Sequence, residues 1–560
     1  MKKILVTMVA AFIASQPMLA QVKPMVLGDS HAMMRLEPRG KLLLLPVQEK
    51  EEPAHIAVLN GGNELVKRLN VRLAVDKVDY CVPLVIGEGQ LLDITFNGDR
   101  RKTGALKDFA CWHEMKYADT FGTANRERFR PAYHHTPQYG WMNDPNGMFY
   151  SDGEWHLYYQ FNPYGSQWEN MTWGHSTSRD LIHWEAQPTA IEADWLGAIF
   201  SGSAIVDTRN TTGFGAGTVV AMYTSAGAAQ TQSIAYSADG GKTFTKYAAN
   251  PVITANAPDF RDPKVFWYEP SKHWMVVLAV GQEIQIYSSK DMKDWQYESS
   301  FGRKYGCHDG VWECPDLLQI GDKWVLLLNI NPGGPFGGSA TQYFVGRFDG
   351  KQFICEDEPE ETKWMDYGKD HYATVTFHNA PEGRVVALPW MSNWQYANQV
   401  PTMQFRSANG LPRDLGVKTV LGETILTSVP SKEVNALRGK KLKNPSDACE
   451  IVVDLKANTE ITLSNAKGEQ VVMRYNQQQQ TFTMDRTKSG DVSFSEAFPC
   501  ETCAPTYGNL RQVRLFIDRC SIEAFDAEGK MAMTNLVFPS EPYNMIKVKG
   551  GKATVYEIKN

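Results

Sequence analysis

The sequence predicts an all-β protein: a five-bladed β-propeller flanked by a small N-terminal β-sandwich-like module and a C-terminal β-sandwich. Three observations carry that expectation. Short runs with period-two alternation, separated by Gly and Asn turns, fill both ends of the chain. Between them a serine–acid–aromatic signature recurs at intervals of roughly 50 to 60 residues, somewhat longer than a four-stranded blade repeat. Aromatic residues make up 11% of the chain and include 15 Trp, which suits a β-rich core or a carbohydrate-facing groove.

The first twenty residues read as a signal peptide. Lys2 and Lys3 give the positive start, Ile4 to Ala14 the short apolar run, and Met18-Leu19-Ala20 the cleavage region. That run is too short to span a membrane comfortably, no cysteine follows it to take a lipid anchor, and no second long apolar stretch appears. The expectation is an exported protein, periplasmic or extracellular, with no membrane anchor. Residues 21–125 form the N-terminal module, with strands expected at 41–46, 71–75, 80–86 and 91–96 and no catalytic cluster among them.

Residues 126–430 carry the propeller. The signature stands at 178–184 (Ser-Arg-Asp-Leu-Ile-His-Trp), 237–244 (Ser-Ala-Asp-Gly-Gly-Lys-Thr-Phe) and 289–295 (Ser-Lys-Asp-Met-Lys-Asp-Trp), with a degenerate copy at 347–353. Each reads as a tight turn whose acid accepts backbone N–H groups while the aromatic packs between blades. About 300 residues at this period allow roughly five blades. Residues 431–560 return to alternating strands, as at 450–455, 470–475 and 513–518, and form the second sandwich.

The formal net charge of −6 and the lack of a basic tract argue against a nucleic-acid partner. Nine cysteines are few for this length, and the odd count leaves at least one unpaired within the chain. Cys500 and Cys503 could form a local bridge. A zinc site needs a second such pair, so no metal and no cofactor are expected.

Three acids stand beside prolines and ahead of apolar strands. Asp144 lies in 143–147 (Asn-Asp-Pro-Asn-Gly), Asp262 in 259–265 (Asp-Phe-Arg-Asp-Pro-Lys-Val) and Glu313 in 311–317 (Val-Trp-Glu-Cys-Pro-Asp-Leu). Each is expected in a turn at the mouth of a strand, in a different blade. A propeller gathers the starts of its inner strands at one end of the central channel, so these acids can meet. Paired carboxylates suit glycoside hydrolysis: one ionises and attacks, the other holds a proton for the leaving oxygen.

These segments resemble glycoside hydrolase family 32, the β-fructosidases. Residues 141–147 match its nucleophile motif, 260–263 its second motif and 313–316 its acid/base motif, in the family's order. Supporting matches lie at 159–163, 173–175, 200–203, 365–373 and 516–525; Cys520 stands where the family usually has Ser. The resemblance covers about residues 126–560. It implies a five-bladed propeller with a sandwich, retaining chemistry and no metal. It further implies Asp144 as nucleophile, Glu313 as acid then base, and Asp262 as the acid on the sugar hydroxyls. Asn143, Gln160, Trp168, Phe200, Ser201 and Arg261 would bind substrate, a fructose-containing oligo- or polysaccharide. Segment 391–397 resembles one common in exo-acting members. Trp390, Trp394 and Tyr396 share even positions and would line one face of an extended segment, with Trp394 closing the pocket rim. The first hundred mature residues resemble an extra module of some bacterial members, which assigns it no role. Two other readings stay open: an inactive fructan-binding protein of the same fold, and an arabinan-type propeller hydrolase.

Overall fold

The computed structural model describes residues 23–37, 39–97, 105–122 and 125–559, so the signal-peptide reading of residues 1–20 lies outside the described residues. The chain divides into two compact units between Gly122 and Thr123.

The N-terminal unit pairs a five-stranded sheet, ordered Met25–Val26, His31–Arg35, Leu91–Thr95, Ala54–Leu59, Leu65–Val71, with a three-stranded sheet of Tyr80–Val85, Leu42–Val47 and Lys116–Ala118. Leu43, Leu45, Ile56, Val58, Val82 and Ile94 are fully buried, as the alternation requires. One expected strand differs. Leu73, Ala74 and Val75 are buried in succession, and beyond Val71 the ladder shrinks to a single bridge, Val47 to Leu73. The side-chain oxygen of Gln48 takes the backbone N–H groups of Val75, Asp76 and Lys77 at 3.0, 3.0 and 3.3 Å, which turns the chain into a loop. A buried glutamine thus supplies the acceptor that a neighbouring strand would have given.

The second unit begins with five antiparallel sheets arranged as blades. Their innermost strands are Gly140–Ser151, Ala198–Asp207, Phe260–Tyr268, Val311–Ile320 and Tyr372–Thr376. Each contacts the next, and the fifth contacts the first, which closes the ring. Phe405–Arg406 then returns to pair in parallel with Gly140 and Trp141.

The recurrent turns do what their residues dictate. Asp180, Asp239, Asp291 and Asp349 each accept two backbone N–H groups of their own turn at 2.8–3.1 Å. Phe244, from the second blade, packs edge-on to Tyr158 of the first, and Phe353 of the fourth edge-on to Phe301 of the third. The signature is therefore a blade-to-blade fastener as well as a turn.

Strand Glu423–Pro430 ends the fifth blade, and a 3-10 turn at Lys432–Leu437 leads into the sandwich, built around the long strands Cys449–Ser464 and Met545–Ile558. Propeller and sandwich form one compact unit. Buried charges join them. Arg413, on a fifth-blade strand, donates to Asp366 at 2.8 Å and to Glu523 of the sandwich at 2.9 Å, and all three side chains are 0% exposed. Arg486 of the sandwich donates to Asp370 and to the Tyr396 hydroxyl. His134, just ahead of the first blade, sets Nδ1 2.8 Å from Asp518 and Nε2 2.9 Å from Glu523. A doubly protonated ring satisfies both carboxylates at once.

That arrangement makes stability depend on pH. Burial opposes the imidazolium charge, but the bonds and charges of Asp518 and Glu523 prevail and hold His134 up to about 9. The folded value lies above the unfolded one. Its contribution, on the order of 3 kcal/mol, is therefore complete below about pH 6.5 and lost as pH rises through about 9. His134→Gln is expected to lower Tm at pH 6 and to flatten the decline of Tm between pH 6.5 and 9, read by thermal unfolding across that range. An unchanged slope would place the pH dependence elsewhere.

Candidate active site

The three acids do not lie in turns ahead of strands. They lie inside the inner strands, at a β-bulge that all five blades share. Asn143 and Asp144 together face Gln160; Phe200 and Ser201 face Thr224; Asp262 and Pro263 face Leu278; Cys314 and Pro315 face Leu328; Ala373 and Thr374 face Pro389. Two residues against one break the ladder and re-aim the side chains. Pro263 and Pro315 fit this role, since a bulge leaves an N–H without a ladder partner and proline has none to lose, while Pro145 follows its bulge and pairs with Tyr159. Asp262, Cys314 and Ala373 take φ of 64°, 44° and 51°, the sharp bend at three of the five sites. In the first blade a second irregularity follows at Gly147, φ 55°, where a Cβ would stand 2.6 Å from the Trp173 ring and 2.9 Å from Tyr158.

The bulges bring one cavity of about 400 Å³ to the end of the channel where the inner strands begin. Asn143, Asp144, Gln160, Trp168, Phe200, Ser201, Arg261, Asp262, Glu313 and Trp394 all line it. Asp144 accepts hydrogen bonds from Asn143 Nδ2 at 2.9 Å and from the Ser201 hydroxyl at 2.7 Å. Asp262 Oδ2 accepts the backbone N–H of Cys314 at 2.9 Å. The Cys314 thiol sits between the two, 3.5 Å from Asp144 and 3.6 Å from Asp262. Glu313 faces them, with Oε1 gripped by Arg261 Nη2 at 2.9 Å and Nε at 3.1 Å, and Oε2 taking the Tyr372 hydroxyl. Arg261 is itself held by Asp259 at 2.6 Å and by Gln230 at 3.2 Å.

Burial pushes the Asp144 carboxyl up and the charge of Glu313 adds to it, while the bonds from Ser201, Asn143 and Cys314 pull it back. Burial also raises Asp262; Arg261 opposes, and the charges of Glu313 and Asp144 reinforce. The Cys314 thiol is pushed well above its usual range, by burial first and then by the surrounding acids, so it remains a neutral donor. Gln160 is buried, and its Nε2 has no hydrogen-bond partner among the described residues. It offers a donor to whatever enters the cavity.

The rim is aromatic. Trp168 is 43% exposed and meets Phe200 edge-on at 6.1 Å, so it is no propeller core residue. Trp394 stacks on Trp141 at 5.7 Å and 24°. The expected stripe of three rings on one extended face is not formed. Strand Val386–Trp390 ends at Trp390, which is buried, and the chain then loops, so Tyr396 turns away to Asp370 and Arg486 while Trp394 reaches the cavity. Cys500 and Cys503 are free. Cys503 lies in strand Glu501–Pro505, and three extended residues hold two Cα atoms about 10 Å apart, beyond disulfide reach. Among the described residues no group of three His, Cys, Asp or Glu is arranged to hold a metal ion.

Reading the sequence left out Gln230, Asp259 and Asn331 on the cavity wall and Tyr372 against Glu313. Asp259 and Tyr372 lie in segments already singled out, so spacing from Arg261 and the 365–373 match pointed toward them. Gln230 and Asn331 begin and end the strands Gln230–Ser237 and Lys323–Asn331, and no local motif marks them.

Comparison with known proteins agrees with this geometry. The glycosyl hydrolases family 32 N-terminal domain matches residues 134–430, the family 32 C-terminal domain matches 422–559, and a domain of unknown function matches 28–133. A levanase of Bacillus subtilis is 44% identical over 453 residues, covering 74% of this chain and 67% of its own. The extracellular exo-inulinase of Aspergillus niger is 37% identical over 489 residues, covering 74% and 90%. The crystal structure of exo-inulinase from Aspergillus awamori superposes with a TM-score of 0.73 at 34% identity, over 79% of this chain and 100% of that one. A fructofuranosidase from Schwanniomyces occidentalis, complexed with fructose, gives a TM-score of 0.70 at 34% identity, over 79% and 100%. With its N-terminal domain matched across more than half of the sequence, and relatives this similar along most of it, the chain belongs to glycosyl hydrolase family 32.

Proposed function

We propose that this chain is an exported, retaining β-fructosidase that removes terminal fructosyl residues from fructans such as levan or inulin, with sucrose as a smaller substrate. The signal peptide at 1–20 would be removed, leaving the module of 21–125, the catalytic propeller of 126–430 and the sandwich of 431–560. The observation that carries the reading is the meeting of Asp144, Asp262 and Glu313 in one cavity of about 400 Å³, ample for the terminal sugar unit of a chain. The intact triad of acids disfavours a mere binding protein, which needs no acid and base.

Roles follow from position. The Ser201 and Asn143 bonds stabilise the ionised form of Asp144, so it attacks the anomeric carbon. Glu313 keeps 21% of its side chain exposed, on the side from which a leaving group departs, and gives that oxygen its proton. Cleavage leaves a fructosyl ester on Asp144. A water then enters, Glu313 takes its proton, and the hydroxide displaces Asp144 with net retention. Asp262, 5% exposed, accepts ring hydroxyls, and Gln160 Nε2 donates to another. The aromatic wall at Trp168, Phe200 and Trp394 supports an end-on substrate.

The test is a panel of sucrose, inulin and levan with product sizing. Free fructose is expected from the first minutes, with little early fall in polymer length. A ladder of oligosaccharides with fructose lagging would show an open cleft, and cleavage of arabinan alone would overturn the substrate class.

Glu313→Ala is expected to lower fructan hydrolysis by roughly 10²–10⁴-fold, and to lose much less in the first step on an activated fructoside whose leaving group needs no proton. Equal losses in that step, read by the burst of leaving group, would remove Glu313 from the acid role.

The pH profile tests Asp144. Because burial raises its carboxyl, the acid limb of kcat/KM is expected above the ordinary aspartate value of 3.8. Ser201→Ala removes a bond to the ionised form, so the limb moves further toward higher pH. A limb that stays in place or moves down would separate Ser201 from the titrating group.

A further inference from the structure

Of the 15 tryptophans, two are exposed: Trp168 at 43% and Trp195 at 84%. Trp168 lines the cavity. Trp195 does not, yet its place in the fold puts it on the same face. Phe161 pairs with both Met142 and Thr172, and Trp173 pairs with Ile191, so Ile191 ends its strand at the cavity end of the first blade. The next strand, Ala198–Asp207, begins the second blade there and reaches Phe200 and Ser201 within four residues. The link between them crosses the cavity face, and Trp195 is on it.

This link is built to hold its shape. Asp194 and Gly197 exchange backbone hydrogen bonds of 3.2 and 3.1 Å across a two-residue turn, whose tip is Trp195 and Leu196. Asp194 Oδ1 accepts the N–H of Leu196 at 2.8 Å. Asp194 Oδ2 takes Lys246 Nζ at 2.8 Å, and the same ammonium donates to the Glu192 carbonyl at 2.5 Å. Gly197, φ 117°, lies so close to Ala226 that a Cβ would stand 2.3 Å from its carbonyl. The turn is therefore fastened on both sides, while the indole at its tip stands in solvent and, among the described residues, makes no ring contact. Exposing a tryptophan on a clamped tip gives up burial that the fold would otherwise gain, and an aromatic face presented this way suits a ligand with one apolar side.

We propose that Trp195 is a stacking platform for a fructosyl unit of a polymeric fructan, remote from the residue held in the cavity. The inference rests on the fructan reading above. The pocket takes a chain end, so the rest of a polymer runs out over this face, where Phe200 and Trp168 line the cavity and Trp195 stands exposed on the link to the second blade. Trp195 is not among the residues that line the cavity, so a disaccharide seated there is expected not to depend on it. Trp195 thus discriminates polymer from disaccharide without touching the reacting atoms.

The experiment compares kcat/KM on levan and inulin polymers with kcat/KM on sucrose, for the wild type, Trp195→Ala and Trp195→Phe. For Trp195→Ala the polymer-to-sucrose ratio is expected to fall roughly three- to ten-fold on at least one polymer, through KM, and Trp195→Phe to recover most of the loss. A ratio unchanged on both polymers would overturn the platform and leave the fructan reading intact. A wild type that cleaves neither polymer nor sucrose would overturn the fructan reading, and the platform with it.

Discussion

The site depends on a geometric misfit repeated around the ring: two residues against one in the innermost strand of every blade. A regular strand alternates its side chains between two faces, so in a blade they point into the neighbouring blades. A residue aimed along the channel axis needs the alternation broken, and a bulge does that at the loss of one ladder bond. Because the break recurs at the same level in all five strands, the re-aimed groups converge. Asp144, Ser201, Asp262, Cys314 and their neighbours meet although up to 170 residues separate them in the chain.

The bulges also explain the hydrogen bonding at the floor. The Cys314 N–H freed by the fourth-blade bulge goes to Asp262 Oδ2, and the Asp262 N–H goes to Thr224 Oγ1, the residue that the second-blade bulge faces. Broken ladder bonds are thus remade between blades, and Asp262 is positioned by backbone as well as by side-chain packing. Such positioning is stiff, and stiffness in the groups that meet a transition state is what lowers its reorganisation cost.

Much of this was legible in the sequence, and the remainder divides by physical cause. Repeats of a serine, an acid and an aromatic marked the blades because each turn is local: Asp239 binds the N–H groups of residues 242 and 243, within its own reach. The three acids were legible for the same reason, each lying in a short run with proline. Whether that run is a turn or a bulge was not legible, since both need a residue free of ladder bonds, and only the partner strand decides. Gln230 and Asn331 reach the cavity by strand pairing alone. The fusion of propeller and sandwich into one unit rests on Arg413, His134 and Arg486, isolated charges in sequence whose partners lie 47 to 389 residues away. The loop at 71–77 turned on one glutamine side chain, which no periodicity reports.

Charge balance in the cavity leads one step further. Asp144, Asp259, Asp262 and Glu313 line it, and the cation among its lining residues is Arg261. Arg261 is committed to Asp259 and Glu313, on one side. Asp144 and Asp262 are held by hydrogen bonds, with no ion pair among the described residues, and burial raises both, the Arg261 charge opposing it at Asp262. Burial and the neighbouring acidic charges raise Asp144 and Asp262, so these two carboxyls hold a proton more readily than separate aspartates in water. Retaining hydrolysis requires such a stored proton in its first step, available to the leaving oxygen while a neighbouring carboxylate attacks. One guanidinium on one wall thus pairs with Asp259 and Glu313 and leaves Asp144 and Asp262 to hydrogen bonds from Ser201, Asn143 and the Cys314 N–H.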